Sequence, residues 1–181
     1  MKKLSLIFAI ICLLTTFNAN AQSEKINWMS FEEAVKLNET APKKILIDVY
    51  TDWCGWCTKM DQTTFIDKDV VAYMNENYYA VKFNAEQAED VTINGKTYQN
   101  PNYNENAKRK PTHQLAHYLL NNRLSYPSYS ILDKDFNIIT VVPGYYPAQE
   151  FEKVIVFIGE DYYKDLSFET FSKEYAEKYR A

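Results

Sequence analysis

The sequence predicts an α/β fold in which a central mixed β-sheet carries helices on both sides. Two apolar runs, residues 45–50 and 78–85, are each interrupted by a single charge, which is typical of strands buried on both faces. Stretches with helical spacing of apolar residues lie between and around them. Two later strands, residues 126–132 and 137–142, are joined by the hairpin turn Asp133-Lys134-Asp135.

Length and composition indicate one compact domain with additions. The chain has 181 residues, of which 46% are hydrophobic and 15% aromatic, and this is too apolar for a disordered chain. Its formal net charge is −4, whereas a nucleic-acid binder needs a basic face to neutralise phosphates. We therefore expect no nucleic-acid partner.

The first 21 residues have the pattern of a cleavable export signal. Lys2-Lys3 precede an apolar run, residues 4–14, and Ala19-Asn20-Ala21 forms a small-residue cleavage site. The run is too short to span a membrane, which takes about 20 residues. We expect residues 1–21 to be removed, leaving a domain over residues 22–181 that is periplasmic or secreted, without stable membrane insertion. The alternative is an uncleaved anchor.

Cleavage would leave two cysteines in the mature chain, Cys54 and Cys57, because Cys12 lies in the leader. It would also change the formal charge from −4 to about −6, since Lys2 and Lys3 are lost. Disulfides persist outside the cytoplasm, but two cysteines so close together enclose too short a loop to stabilise a fold much. A chemical role explains this cysteine pair better than a structural one.

The elements follow in order along the chain. Ser30 and Glu33 form a capping box that opens a helix ending near Asn38. Residues 57–77 are helical with a break near Asp67. Residues 86–110 are polar and form an insertion, within which Asn94-Gly95 is a strong type I′ hairpin signal.

Three more helices are predicted after the insertion. The first covers residues 111–122, with Leu115, Tyr118 and Leu119 on one face. The second covers residues 147–158. The third, residues 167–179, belongs to a helical extension over residues 160–181 at the C-terminus.

The segment Trp53-Cys54-Gly55-Trp56-Cys57 follows a buried strand and begins a helix. Unpaired N–H groups in a first helical turn stabilise a thiolate, which is the reactive form of cysteine. This placement predicts Cys54 as an exposed nucleophile. Cys57, one turn later, would be sheltered and resolve the mixed disulfide.

These residues resemble the thioredoxin superfamily, and more closely its secreted thioredoxin-like branch with Trp-Cys-x-Trp-Cys followed by Met60-Asp61 and Thr64-Phe65. The resemblance covers about residues 45–158 and implies a thioredoxin-like three-layer α/β/α sandwich, here with an inserted hairpin and an extra C-terminal helix. Gly144 matches the family's glycine after the last strand.

The resemblance also assigns roles to residues away from the cysteines. Asp48, six residues before Cys54, matches the family's buried Asp, and Lys82 matches its lysine partner on the next strand. A buried carboxyl of this kind suits a general base that deprotonates Cys57, and the alternative is a structural ion pair. Pro127 matches the family's cis-proline, so Tyr126 beside it would offer backbone groups to an extended substrate.

Trp53 and Trp56 flank the cysteines and are candidates for gripping apolar residues of a partner. We expect Trp53 to be partly buried and Trp56 to be more exposed. Trp56 departs from the family, where proline or histidine often stands between the cysteines. Since this position influences the reduction potential, the direction of electron flow stays open.

A metal site is the weaker interpretation of the same cysteines. Cys54, Cys57, His113 and His117 are ligand types found at zinc, but the gap between the pairs is far longer than in a zinc finger. We expect no metal and no bound organic cofactor, because the Cys54–Cys57 pair is itself the redox group.

The sequence thus predicts a thiol–disulfide oxidoreductase that acts on thiols and disulfides of exported proteins. We expect a reductant or isomerase rather than an oxidant, and a reductant would need a membrane electron donor for its own reduction. The alternative function is a non-catalytic binding module that uses the same fold, with the insertion holding a partner.

Overall fold

The computed structural model describes residues 25–178, so the predicted leader lies outside the described residues. The strands are β1 (Trp28–Met29), β2 (Lys44–Tyr50), β3 (Tyr78–Asn84), β4 (Val91–Ile93), β5 (Lys96–Tyr98), β6 (Ser128–Leu132) and β7 (Ile138–Pro143). The helices are α1 (Phe31–Asn38), α2 (Gly55–Gln62), α3 (Lys68–Asn77), α4 (Gln114–Leu119), α5 (Ala148–Gly159) and α6 (Phe168–Lys178). Within this part of the chain, no helix has the length and hydrophobicity needed to cross a bilayer.

Five strands form the predicted mixed sheet in the order β1-β3-β2-β6-β7. The central strand β2 pairs parallel to β3 and antiparallel to β6. This register sets Asp48 directly beside Lys82 on one side and Tyr129 on the other. The α/β sandwich with a mixed sheet is therefore confirmed, and Asp48 lies in the middle of the sheet.

Each face of the sheet has its own hydrophobic core, because successive side chains of a strand point to opposite faces. Leu46 belongs to the core that includes residues of α2, α3, α5 and α6, whereas Ile45 and Ile47 belong to the core that includes residues of α1, α4 and the β4–β5 hairpin. Asp48 has the same parity as Leu46. Its side chain therefore points to the face covered by α2, the helix that begins after Cys54.

The structure contains the local features that the sequence predicts for the ends of α1 and α3 and for the β4–β5 turn. Ser30 and Glu33 make the capping box at α1. Asp67 caps α3 by accepting from two backbone N–H groups, which explains the break in the long helical stretch. Asn94 and Gly95 have φ of 48° and 74°, the positive values that a type I′ turn requires.

The structure differs from the sequence prediction in one helix and one strand. The helix predicted over residues 111–122 is only α4, because the preceding residues are extended and the His113 N–H donates to the Ala85 carbonyl at 2.7 Å. Leu115 and Leu119 on this helix are buried, whereas Tyr118 is 39% exposed and packs beside Tyr98 of the hairpin. Strand β1 was not predicted, since two residues are too few to show a periodicity.

His113 joins α4 to the insertion. Its Nδ1 accepts from the Leu115 N–H at 3.0 Å, and its Nε2 lies 3.1 Å from the Glu89 carbonyl oxygen. The accepting Nδ1 places the ring proton on Nε2, so the buried imidazole is neutral and uses both nitrogens. Burial lowers its pKa below the ordinary 6.5, although the carboxylates of Asp90 and Glu89 oppose this effect.

We expect His113→Ala to lower the free energy of unfolding by about 1–3 kcal/mol, through loss of a helix cap and a buried ring.

The lowered pKa of His113 also predicts that stability depends on pH. The neutral ring stabilises the folded state at pH values above the pKa of histidine in the unfolded chain, and this contribution is lost as the pH falls through the lower pKa of the folded state. Urea unfolding at about pH 7.5 and about pH 5 tests this. His113→Asn keeps a capping side chain that does not titrate, so it should lose less stability on acidification than the native chain. Equal losses would contradict the assignment.

Candidate active site

The two cysteines lie at the start of α2, on the turn that follows the central strand. Cys54 is the N-cap of this helix, and its N–H donates to the Thr51 carbonyl at 3.1 Å. Its Sγ accepts from the N–H of Cys57 at 3.1 Å and is bonded to the Cys57 Sγ at 2.05 Å. In the reduced protein, the same N–H and the positive end of the helix would favour a Cys54 thiolate.

The expected difference in exposure between the cysteines is absent from the disulfide form. Cys54 is 6% exposed and Cys57 is 4% exposed, so the prediction of an exposed Cys54 is wrong for this form. The bonded sulfurs lie among the residues of the turn and the first turn of α2. Their neighbours Trp53 and Trp56 are 51% and 56% exposed, so the disulfide lies just beneath an accessible aromatic surface.

Asp48 is buried within the sheet and pairs with Lys82. The Lys82 Nζ lies 3.4 Å from Oδ2 of Asp48, while Oδ1 accepts no hydrogen bond within the described residues. Burial raises the pKa of Asp48 to about 7, although the Lys82 ammonium opposes the shift. A carboxyl with such a pKa and a free oxygen can exchange a proton near neutral pH.

The structure adds Asp61 to this pair, a residue that the sequence shows only as part of the Met60-Asp61 motif after the cysteines. Lys82 Nζ donates to Oδ1 of Asp61, so one ammonium bridges a buried and a half-exposed carboxylate. The negative charge of Asp61 contributes to the raised pKa of Asp48. On sequence alone, Asp61 is a charged residue on a helix, and its contact with Lys82 depends on where α2 lies over the sheet.

Trp53 is held by groups from three other segments. Its indole N–H donates to the buried Glu86 at 3.0 Å, and its ring meets Tyr126 edge-to-face with centroids 5.9 Å apart. The Arg109 guanidinium lies 4.9 Å from the centre of the indole. These contacts leave Trp53 partly buried, at 51% exposed against 56% for Trp56.

Trp56 forms a second aromatic cluster beside the cysteines. Its ring centroid is 5.2 Å from that of Tyr145, and Lys59 Nζ lies 5.0 Å from both rings. The Tyr126–Pro127 peptide bond is cis, and the Pro127 carbonyl accepts from the Gly144 N–H at 2.8 Å. Tyr126 contacts Trp53, so the proline segment lies on the Trp53 side of the site.

The residues considered for zinc are engaged in other ways. Both ring nitrogens of His113 have backbone partners, as described above, and the Nδ1 of His117 lies 3.3 Å from Asn122 Oδ1. Cys54 and Cys57 are bonded to each other. Over residues 25–178, no group of three or more potential ligands lies close enough to hold a metal ion.

Comparisons with known proteins identify the family and the fold. Residues 31–159 match the family model described as a thioredoxin-like domain. Among curated proteins, none matches the sequence.

Solved structures show the same fold at low sequence identity. A thioredoxin-fold protein from Helicobacter pylori is 19% identical with a TM-score of 0.55, covering 85% of this chain and 89% of its own. A putative disulphide-isomerase from Bacteroides thetaiotaomicron is 23% identical with a TM-score of 0.53, covering 78% and 98%. The oxidoreductase DsbH is 18% identical with a TM-score of 0.50, covering 78% and 90%.

Proposed function

The chain belongs to the thioredoxin-like domain family, and we propose that it is a thiol–disulfide oxidoreductase of exported proteins. It would work as a reductant or isomerase rather than as an oxidant. The observation that carries the proposal is the Cys54–Cys57 disulfide at the start of α2, with the Cys57 N–H donating to the Cys54 sulfur. The pair of the buried Asp48 with the partly exposed Lys82 supports it, because a carboxyl with a pKa of about 7 can accept the proton of a thiol near neutral pH.

In the reductive direction, the dithiol form begins the cycle. The Cys54 thiolate attacks one sulfur of a substrate disulfide, forms a mixed disulfide and releases the other substrate sulfur as a thiolate. Asp48 takes the proton of Cys57, which attacks the Cys54 sulfur and releases the second substrate thiolate. Two electrons pass to the substrate, and the chain ends as the Cys54–Cys57 disulfide. A membrane electron donor would return the dithiol form.

Reduction of insulin disulfides by the purified protein with dithiothreitol tests the activity. We expect turbidity from the freed insulin chains well ahead of the control without protein. Absence of any acceleration would favour the alternative, a binding module that uses the same fold without turnover, with the insertion holding a partner.

Equilibration with glutathione tests the direction. A reduction potential near about −270 mV indicates a reductant, and one near about −120 mV an oxidant. We expect a value nearer the first. A value near the second would contradict the direction proposed here while leaving the activity itself intact.

A further inference from the structure

The insertion brings positive charge to the rim of the site. Arg109 lies against the exposed indole of Trp53, the residue that precedes Cys54. Trp53, Lys108 and Arg109 line a cleft of about 410 Å³. We call this the Arg109 cleft. It has one aromatic wall and two cationic side chains, which is a combination that suits a carboxylate on a short aliphatic stem.

The segment that carries these cations is fixed at both ends. The buried Asn100 donates to the carbonyls of Gln87 and Pro111 at 3.0 and 2.8 Å, which ties the start of the segment to its end. His113 then joins the chain to Ala85 at the end of the sheet. The position of Arg109 over Trp53 therefore follows from an anchored loop.

The carboxylates of Glu86 and Asp52 accept hydrogen bonds from groups other than the two cations of the cleft. Glu86 is buried and accepts from the Trp53 indole, while Asp52 accepts from the Asn84 amide at 2.9 Å. Within the described chain, neither Lys108 nor Arg109 forms an ion pair with a carboxylate.

We infer that the Arg109 cleft selects substrates that carry an acidic residue close to the reacting cysteine. This rests on the proposed function and adds the substrate class. The net charge of the chain is −4, so its overall field attracts cationic peptides. A preference for acidic peptides therefore has to come from local cations, and these lie beside Trp53.

Three otherwise identical peptides test the inference, carrying Glu, Gln or Lys at two positions beside one cysteine. Each cysteine is blocked as a mixed disulfide with thionitrobenzoate. The Cys54 thiolate of the reduced protein attacks the peptide sulfur and releases coloured thionitrobenzoate, and Cys57 then displaces the peptide thiol. We expect the Glu peptide to react about tenfold faster than the Lys peptide at low salt, with the ratio falling toward one at about 0.5 M salt.

Arg109→Gln should lower the Glu-to-Lys rate ratio at least severalfold at low salt. Lys96→Gln is the matched control, because it removes one cation that also lies on an aromatic ring, from the same insertion but outside the cleft. It should keep the native ratio. A Glu-to-Lys rate ratio near one in the native chain would overturn the inference, and so would an equal fall of that ratio in both variants. In either case, reaction with the peptides would still support the proposed function. Failure of all three peptides to react would overturn both.

Discussion

Replacing Cys54 with serine is expected to lower insulin reduction by at least about a thousandfold, to the rate without protein. A hydroxyl cannot form the mixed disulfide on which every later step depends. Serine is close to cysteine in size and is a favourable N-cap, so α2 and the fold should persist. Circular dichroism and urea unfolding check that the variant is folded. Equal activity in this variant would exclude catalysis by Cys54.

Cys57→Ser separates the two roles. It keeps the attacking sulfur and removes the resolving one, so substrate proteins should remain attached to Cys54 as mixed disulfides that a reductant releases. With the predicted leader removed, Cys54 is then the one thiol in the chain. Its rate of alkylation should rise with pH around a pKa between about 3.5 and 7.5, below the ordinary value of about 8.5. A midpoint at the ordinary value would mean that the start of α2 does not activate the sulfur.

The sequence predicted the sheet and the cysteine pair because both depend on local patterns. The apolar runs of β2 and β3, the capping box at Ser30 and the Asn94-Gly95 turn each carry their signal within a few residues. The equal burial of the two cysteines was not predictable in this way. The burial of Cys54 and Cys57 depends on how the turn before α2 packs, and the spacing of residues in the sequence does not predict that packing.

Charges at the site were harder to predict, since charged residues have no periodicity that reveals a partner. Lys82 was assigned to Asp48 by family resemblance, but the second partner, Asp61, depends on where α2 crosses the sheet. The sequence predicts residues 86–110 only as a polar insertion, which assigns Arg109 no partner. Its place on Trp53 follows from the anchoring of the insertion by Asn100 and His113, which are distant in sequence from Cys54.

Asp48→Asn is expected to slow the resolution of the mixed disulfide by about a hundredfold or more at neutral pH, because Cys57 loses its general base. In the native chain, the rate of resolution should rise with pH around the pKa of Asp48, about 7. The variant should lack this inflection. Stopping the reaction with acid and counting the mixed disulfide by mass spectrometry measures the step separately from the attack by Cys54.

Asp61→Asn is the companion variant, because it changes the pKa of Asp48 without removing the base. The Asp61 charge raises that pKa, so its loss should move the inflection in the resolution rate to lower pH. If Asp48 and Lys82 formed only a structural ion pair, Asp48→Asn would not slow resolution and Asp61→Asn would not shift the inflection. An unchanged resolution rate in Asp48→Asn would leave Asp48 and Lys82 as a buried pair without a catalytic role.

The stability of Asp48→Asn supplies a second, independent readout. The pKa of Asp48 is raised from the ordinary 3.8 to about 7 in the folded state. The free energy of unfolding therefore decreases as the pH rises from about 4 to about 7, because the unfolded chain ionises first. Removing the charge should therefore stabilise the protein by about 2–4 kcal/mol above pH 7 and by much less near pH 4. Urea unfolding of the native chain and the variant at these pH values measures the difference. A variant that is more stable yet slower in resolution would show that the native chain keeps a costly buried acid at the site of its chemistry.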